Sequence, residues 1–320
     1  MDRPDVLMIA PMLPSVVEAL DDAYILHRLW EQVDPAAFLS SVGQRIRAVA
    51  SSFSGPVATP LLAQLPRLEI VASFGVGYDN VDAVAAADRG IIVTNTPGVL
   101  DDEVADLTVG LLISTLRQIP QADRFVREGH WLQSAFPLSP SLRGRRVGIF
   151  GFGNIGRAIA RRLAGFDVEI AYHARSPKPD AEFPYHPTLI GLAEASDVLI
   201  AIVPGGPETR HLVDRDVLIA LGPKGVLINV ARGSVVDEAA LIDALRSGTI
   251  LGAGLDVYEE EPRVPQALID LPQVVLLPHV GSASFETREA MGRMVVDNLR
   301  SWFERSVPLN PVPESRPLLA

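Results

Sequence analysis

The feature that most constrains the fold is a glycine-bearing loop placed between a strand-like and a helix-like segment. The apolar run Arg146–Phe150 leads directly into GFGNIG at positions 151–156, and a segment of helical periodicity follows. Gly151 permits a tight turn, Gly153 lets an anion approach the backbone, and Gly156 allows the helix to pack closely on the strand. The free N–H groups at the start of the helix face that anion. The motif therefore predicts a βαβ unit that binds the pyrophosphate of a dinucleotide.

Short apolar runs alternate with segments of helical periodicity, which is typical of parallel sheets with crossover helices. A first block has strand-like runs at Val6–Ala10, Ala48–Ala50, Ile70–Ser73 and Ile91–Thr94. A second block has six, at Arg146–Phe150, Glu169–Tyr172, Val198–Ile202, Val226–Asn229, Gly252–Asp256 and Val274–Leu277. Six strands predict an α/β fold with a doubly wound parallel sheet of Rossmann type. We expect a connecting helix over Val99–Leu116, a last helix over 286–303, and an extended or disordered tail over 307–320.

The composition narrows the classes of partner. The chain has 320 residues, enough for two domains of ordinary size. Its 28 basic and 39 acidic residues give a net charge of −11, which disfavours nucleic acid and anionic membranes as partners. There are no cysteines, so any redox chemistry needs a bound cofactor. The N-terminus does not read as a signal peptide, and no apolar run reaches the roughly 18 residues of a membrane span, so we expect a cytoplasmic location.

The tip of the second strand of the βαβ unit predicts which dinucleotide binds. An NAD site usually has Asp or Glu there, whereas this chain reads YHARSPK at positions 172–178. The guanidinium of Arg175, the hydroxyl of Ser176 and the nearby Lys178 can bind a 2′-phosphate that a carboxylate would repel. The pattern favours NADPH and leaves NADH possible, and His173 adjoins the same site. The alternative is that these are ordinary solvated loop charges.

Three polar side chains follow three other strands at the same edge of the predicted sheet. Arg232 can bind a substrate carboxylate, and His279 is suited to proton transfer near neutral pH. Glu261, hydrogen-bonded to one ring nitrogen, would fix the imidazole and stabilise its charged form. The alternatives are a structural ion pair for Arg232 and, for the run 259–261, a solvated face or a cation site. The six histidines are not spaced as metal ligands, so we expect no metal site.

A loop in the first block is a candidate substrate contact. The segment SFGVGYDN, at positions 73–80, follows a strand and precedes a helix, and its exposed N–H groups can hold a carboxylate. An ordinary turn is the alternative. Together with Arg232 the loop suggests a carboxylate held across a cleft between two domains. Phe53, after the strand at Ala48–Ala50, is expected to reach the same pocket and to favour small or flat substrates.

Six motifs, taken in order, resemble the D-isomer-specific 2-hydroxyacid dehydrogenase family over nearly the whole chain. The resemblance is closest to its NADPH-dependent glyoxylate/hydroxypyruvate reductase branch. The motifs are SFGVGYDNVD (73–82), TNTPGVLDDEVADLTVGLL (94–112), GFGNIGRAIA (151–160), NVARGSVVDEAAL (229–241), GAGLDVYEEEP (252–262) and LPHVGSAS (277–284). The resemblance implies a flavodoxin-like substrate domain formed by residues 1–97 plus 283–320. A Rossmann-type NAD(P)-binding domain, residues 98–282, is inserted into it.

The resemblance also assigns roles to residues of this chain. It implies that Arg232, Glu261 and His279 are catalytic, and that the N–H groups of Val76 and Gly77 contact the substrate carboxylate. The implied cofactor contacts are Gly153, Asn154, Ile155, Gly156, Arg175, Ser176, Val203, Pro204, Thr209, Val230, Ala231, Arg232, Asp256, His279 and Gly281. Gly151 and His173 are added to the predicted cofactor contacts from their own places in the βαβ unit, and the residues at 173 and 174 are not a fixed pattern of the family. Family members are usually homodimers through the cofactor domain, so the helix over Val99–Leu116 and the arm around Trp131 are expected at that interface.

The activity that the resemblance implies is NADPH-dependent reduction of a small, anionic 2-keto acid. Glyoxylate would give glycolate and hydroxypyruvate would give D-glycerate. A bulkier substrate, such as 2-ketogluconate or an aryl pyruvate, is the alternative within the same chemistry. From another class, the family also includes corepressors that use the fold as a dinucleotide-sensing binding module.

Overall fold

The protein was analysed as a computed structural model, which describes residues 3–52 and 55–319. The predicted substrate contact Phe53 lies outside the described residues. The chain forms two compact units. The first comprises Met1–Leu100 and Ala283–Ala320, and the second comprises Asp101–Ser282.

The helices and strands alternate along the chain as the apolar pattern predicts. The first segment contains β1 (Asp5–Met8), α1 (Pro14–Ala23), β2 (Ile25–Arg28), α2 (Pro35–Val42), β3 (Ile46–Ser52), α3 (Thr59–Gln64), β4 (Ile70–Phe74), α4 (Ala83–Asp88) and β5 (Ile92–Thr94). There follow α5 (Asp101–Arg117), α6 (Ile119–Arg127), β6 (Arg146–Phe150), α7 (Asn154–Leu163), β7 (Glu169–His173), α8 (Leu189–Glu194), β8 (Val198–Ala201), α9 (Arg215–Leu221), β9 (Val226–Asn229), α10 (Glu238–Ser247), β10 (Gly252–Leu255), α11 (Gln266–Ile269) and β11 (Val274–Leu276). The last helix is α12 (Phe285–Arg305).

The first unit is built on a five-stranded parallel sheet with the order β2-β1-β3-β4-β5. This is the flavodoxin-like order, as predicted. Leu7, Val49 and Val71 are fully buried in one core of this unit. The returning helix α12 lies so close to α1 that a Cβ on Gly292 would stand 2.3 Å from Cγ2 of Val16. The C-terminal helix therefore completes the same unit as the N-terminal strands.

Two parts of the first unit differ from the sequence prediction. The edge strand β2 has no fully buried residue, so no apolar alternation marks it in the sequence. The tail is not simply extended or disordered, because a 3₁₀ helix covers Pro313–Leu319. The N–H of Val312 donates to the carbonyl of Val93 at 3.0 Å, and the buried hydroxyl of Ser315 accepts from the N–H of Val93 at 2.8 Å. The tail therefore covers the open edge of β5.

The second unit is a six-stranded parallel sheet with the order β11-β10-β9-β8-β6-β7. It confirms the predicted doubly wound sheet, with strand bounds close to the predicted ones. Its strands are apolar at nearly every position because both faces are covered. Ile149 and Ile200 belong to the core on one face, and Phe150 and Leu199 to the core on the other.

The connecting helix α5 packs on this sheet. A Cβ on Gly254 would lie 2.5 Å from Oγ1 of Thr115, so the glycine in β10 lets the helix approach. Arg162 of α7 forms an ion pair with Asp106 of α5 and ties the two helices together. Among the described residues, no helix combines the length and the apolarity that crossing a membrane requires.

Candidate active site

The glycine loop lies where the chain leaves β6, which is flanked by β7 and β8. Strand order reverses at this point, and open α/β sheets bind ligands there. Gly151 has φ +104°, and a Cβ on it would stand 2.4 Å from the carbonyl oxygen of Ile202. A Cβ on Gly156 would stand 2.2 Å from the carbonyl oxygen of Gly151. Both positions thus require glycine for the turn and for the approach of α7.

Gly153 differs from these two, because a Cβ on it would meet nothing within 4 Å. It is the N-cap of α7, and no side chain caps that helix end. The first N–H groups of α7, from Asn154 onwards, have no acceptor within the helix and lie at the positive end of its dipole. Such a helix end can bind an anion, and a pyrophosphate at this loop stays a prediction.

The tip of β7 carries the residues predicted to select the dinucleotide. His173 ends the strand, and its Nδ1 lies 2.8 Å from the carbonyl oxygen of His186. The side chain of Arg175 is 94% exposed, and its guanidinium lies 3.7 Å from the carboxylate of Glu208. Ser176 is exposed and Lys178 is partly buried. The structure thus brings basic and hydroxyl groups to this tip, and the weak pairing of Arg175 leaves its side chain able to reach an anion.

The loop after β8 bears three of the predicted cofactor contacts, Val203, Pro204 and Thr209. The hydroxyl of Thr209 donates to the carbonyl of Pro204 at 2.7 Å, and its N–H donates to the carbonyl of Gly206 at 3.2 Å. Gly206 has φ +123°, a conformation that side chains rarely adopt. The two hydrogen bonds close this loop into a compact turn at the sheet edge.

His279 and Glu261 are in direct contact. Nδ1 of His279 lies 2.6 Å from Oε2 of Glu261, and the two side chains are 28% and 31% exposed. His279 has φ +53°. The other carboxylate oxygen of Glu261 accepts the N–H of Tyr258 at 3.0 Å. Because Nδ1 is engaged, a proton exchanged with a ligand has to pass through Nε2.

The charge state of the pair follows from its surroundings. Burial raises the pKa of Glu261, but the hydrogen bond and the charge of His279, the N–H of Tyr258 and the charge of Arg232 together lower it below the ordinary value. The pKa of the neighbouring Asp256 is instead raised, because burial outweighs its hydrogen bonds from the backbone. The contacts of Glu261 thus favour its charged form, whereas burial disfavours the charged form of Asp256.

Asp256 fixes the backbone next to the imidazole. Its two carboxylate oxygens accept the N–H groups of Val280 and Gly281, each at 2.8 Å. A Cβ on Gly281 would stand 3.1 Å from one of those oxygens. The predicted contacts Asp256 and Gly281 thus form one local structure that holds the segment after His279.

Arg232 follows β9 on a backbone turn formed with Val230 and Ala231. The side-chain amide of Asn229 donates to the carbonyl of Arg232 at 3.0 Å and accepts the N–H of Ala231 at 3.1 Å. The next residue, Gly233, lies so close to Tyr258 that a Cβ would stand 1.8 Å from its carbonyl carbon. The turn that carries Arg232 therefore rests directly on the segment that leads to Glu261.

Sequence reasoning missed the residues that support this arrangement. Asn229 and the buried Tyr258, whose hydroxyl donates to the carbonyl of Leu277 at 2.9 Å, were not predicted. Neither was Glu259, whose Oε1 accepts from Arg210 at 2.7 Å and lies 2.8 Å from Nε2 of His211. The partners of Tyr258 and Glu259 are distant in sequence. The available signal was that Asn229, Tyr258 and Glu259 lie in the same motifs as Arg232 and Glu261.

In the first unit, the loop after β4 is fixed through its carbonyl groups. The carbonyl of Gly75 accepts the N–H of Thr96 at 2.9 Å, and the carbonyl of Val76 accepts the amide of Asn95 at 2.8 Å. Within residues 3–52 and 55–319, no protein acceptor bonds to the N–H groups of Val76 and Gly77. Their role toward a carboxylate stays a prediction.

The chain is similar to known proteins over almost its full length. The family model "D-isomer specific 2-hydroxyacid dehydrogenase, NAD binding domain" matches residues 109–281. Hydroxyphenylpyruvate reductase of Plectranthus scutellarioides and glyoxylate/hydroxypyruvate reductase A of Arabidopsis thaliana are each 46% identical, over 98% of this chain and 100% of theirs. The NADPH-dependent glyoxylate/hydroxypyruvate reductase of Sinorhizobium meliloti, solved with NADP and malonate, is 56% identical. It has a TM-score of 0.94 over 98% of both chains. The resemblance predicted from the motifs is confirmed, and the chain belongs to the D-isomer specific 2-hydroxyacid dehydrogenase family.

Proposed function

We propose that the chain catalyses the NADPH-dependent reduction of small 2-keto acids, such as glyoxylate and hydroxypyruvate, to 2-hydroxy acids. The observation that carries the proposal is the 2.6 Å contact between His279 and Glu261 at the sheet edge that also bears the glycine loop. The relatives named for this reaction support the substrate class.

The chain's own residues supply binding and proton transfer. The chemistry that a reduced dinucleotide supplies when bound is a hydride for C2 of the substrate. Nε2 of His279 gives its proton to the carbonyl oxygen as the C=O double bond becomes a C–O single bond, and the imidazolium becomes neutral imidazole. Glu261 stabilises the imidazolium before the transfer. Arg232 binds the substrate carboxylate. In the first unit, the N–H groups of Val76 and Gly77 are the proposed substrate contacts.

The cofactor assignment rests on two features of the second unit. The uncapped start of α7 beside Gly153 suits a pyrophosphate, and the tip of β7 carries Arg175 and Ser176 in place of a carboxylate. A 2′-phosphate gains charge-assisted hydrogen bonds from such groups. We therefore assign residues 98–282 to NADPH binding and residues 1–97 plus 283–320 to substrate binding. NADH is the weaker cofactor in this proposal.

A second copy of the chain is the proposed protein partner. Three large apolar side chains on the segment between α6 and β6 are widely exposed: Trp131 at 69%, Leu132 at 93% and Leu138 at 102%. Apolar surface of this kind favours association. We propose a homodimer formed through this arm and α5, and light scattering at several concentrations tests it. A cytoplasmic location stays a prediction from the sequence.

The reaction is tested by an initial-rate panel of glyoxylate, hydroxypyruvate, pyruvate, phenylpyruvate and 2-ketogluconate with each dinucleotide. We expect the highest kcat/KM for glyoxylate or hydroxypyruvate with NADPH. Higher values for phenylpyruvate would favour an aryl pyruvate as substrate. That second candidate is supported by the 46% identity to hydroxyphenylpyruvate reductase. The absence of turnover with all five acids would contradict both.

A further inference from the structure

The segment that follows β7 forms a loop whose two ends lie side by side. The N–H of Tyr172 donates to the carbonyl of Pro184 at 2.9 Å, and the N–H of His186 donates to the carbonyl of Tyr172 at 2.8 Å. These bonds pair Tyr172 with Tyr185 in a parallel bridge beyond the sheet's edge strand. Residues 174–184 therefore leave and return at the same place, and Arg175, Ser176 and Lys178 lie on this loop. We call it the strand-tip loop.

A buried tyrosine hydroxyl holds the first half of the strand-tip loop. The hydroxyl of Tyr172 accepts the N–H of Lys178 at 2.7 Å, although Tyr172 itself is only 1% exposed. Its ring stacks on Phe152, with centroids 4.3 Å apart and planes at 25°. Phe152 is the second residue of GFGNIG. The strand-tip loop is thus connected through one aromatic stack to the loop that would bind the pyrophosphate.

Two further contacts fix the remainder of the strand-tip loop. The hydroxyl of Tyr185 donates to the carbonyl of Ala174, the residue before Arg175, at 3.3 Å. Arg157 of α7 forms an ion pair with Asp180 at 2.8 Å, and its guanidinium lies 5.2 Å from the centroid of the Phe152 ring. The hydrogen bond from Arg157 also lowers the pKa of Asp180. Asp180 therefore keeps its negative charge, and the ion pair ties this part of the strand-tip loop to α7.

We propose that Tyr172 and Tyr185 are positioning residues that create the preference for a 2′-phosphorylated dinucleotide. The inference rests on the proposed use of NADPH. Arg175 and Ser176, which would meet the phosphate, are exposed, so the backbone that carries them largely determines where their side chains lie. A backbone fixed in advance reduces the entropy lost on binding, and this lowers the dissociation constant. A dinucleotide with a free 2′-hydroxyl makes less use of the strand-tip loop and gains little.

Direct binding to the unliganded full-length protein tests the proposal. NADP⁺ and NAD⁺ are titrated by calorimetry into the wild type and into Tyr172→Phe and Tyr185→Phe. We expect Tyr172→Phe to raise the Kd for NADP⁺ about fivefold to tenfold, the usual effect of one lost hydrogen bond, and to change the Kd for NAD⁺ less than about twofold. Tyr185→Phe, whose hydrogen bond is longer, is expected to have a smaller effect of the same kind.

Tyr24→Phe is the matched control. Tyr24 is a buried tyrosine of the first unit, 5% exposed, with its ring packed 5.5 Å from that of Phe303. This variant is expected to bind both dinucleotides as the wild type does. If Tyr172→Phe still binds NAD⁺, its second unit is folded. If Tyr172→Phe does not fold, Tyr185→Phe tests the proposal in its place.

The outcomes separate the inference from the proposed function. Unchanged NADP⁺ binding in both tyrosine variants, or an equal loss for NADP⁺ and NAD⁺, overturns the positioning role while the wild type still prefers NADP⁺. Tighter binding of NAD⁺ than NADP⁺ by the wild type refutes the proposed cofactor, and the inference with it. A loss confined to NADP⁺ supports both.

Discussion

Nδ1 of His279 lies 2.6 Å from Oε2 of Glu261, and the two residues follow the neighbouring strands β11 and β10. The same carboxylate is fixed on its other oxygen by the N–H of Tyr258. The pair therefore has one orientation, with Nδ1 facing the carboxylate. A charged imidazole gains from this contact and a neutral one gains less, which is the property that a proton donor in this reaction requires.

Replacing Glu261 by glutamine keeps a hydrogen-bonding side chain but removes its charge. We expect Glu261→Gln to lower kcat about 10- to 100-fold, the effect of losing one charge-assisted hydrogen bond in the transition state. The Kd for NADP⁺ should remain unchanged. Glu260→Gln, a change to the exposed neighbour, is the control and should retain wild-type kcat. A Glu261→Gln enzyme with kcat within twofold of the wild type would be inconsistent with this role.

The lowered pKa of Glu261 also predicts how stability depends on pH. A carboxyl group whose pKa is lower in the folded state stabilises that state fully above its unfolded pKa, about 4.3 for glutamate, and loses this contribution as pH falls further. Urea unfolding at a series of pH values should show the wild type losing more stability below about pH 4.3 than Glu261→Gln does. Parallel curves for the two proteins would refute the lowered pKa.

Gly233 tests whether the turn of Arg232 has to rest on Tyr258. A Cβ there would stand 1.8 Å from the carbonyl carbon of Tyr258, so backbone would have to move. We expect Gly233→Ala to cost about 3 kcal/mol or more in the free energy of unfolding, together with a loss of kcat. Gly165→Ala is the control, because a Cβ there meets nothing within 4 Å. It should change the free energy of unfolding and kcat very little. Equal stability of the two variants would contradict the close contact.

Gly153 separates binding from stability. A Cβ there meets nothing within 4 Å, and the backbone, at φ −85° and ψ −159°, is accessible to alanine. The free energy of unfolding of Gly153→Ala should therefore lie within about 0.5 kcal/mol of the wild-type value. The methyl group would occupy space needed by the pyrophosphate, so the Kd for NADP⁺ should rise about tenfold or more. Unaltered NADP⁺ binding would place the dinucleotide elsewhere.

The second unit was predictable because its strands and its glycine loop are local signals. Arg146–Phe150 is a nearly continuous apolar run, and the spacing of the glycines after it is typical of the turn between a strand and a helix in a dinucleotide-binding unit. The edge strand β2 and the packed tail were not predictable in the same way. Neither has an apolar period, and the tail is held by its bonds to Val93, more than two hundred residues away.

The candidate site shows the same division. Arg232, Glu261 and His279 each follow a strand of one parallel sheet, and the carboxyl ends of such strands share an edge, so their common location is predictable from the sequence. The supporting contacts of Asn229 and Tyr258 are not, because an asparagine or tyrosine near a strand end has many possible partners. Only the three-dimensional structure shows that Gly233 brings the turn of Arg232 onto Tyr258.

The most direct test of the account is a single-turnover measurement of NADPH oxidation by His279→Ala with glyoxylate or hydroxypyruvate. If His279 donates the proton, the rate of this step should fall about 10²- to 10⁴-fold, the usual contribution of general acid catalysis, while the Kd for NADPH changes little. A variant that oxidises NADPH at the wild-type rate would contradict the central claim.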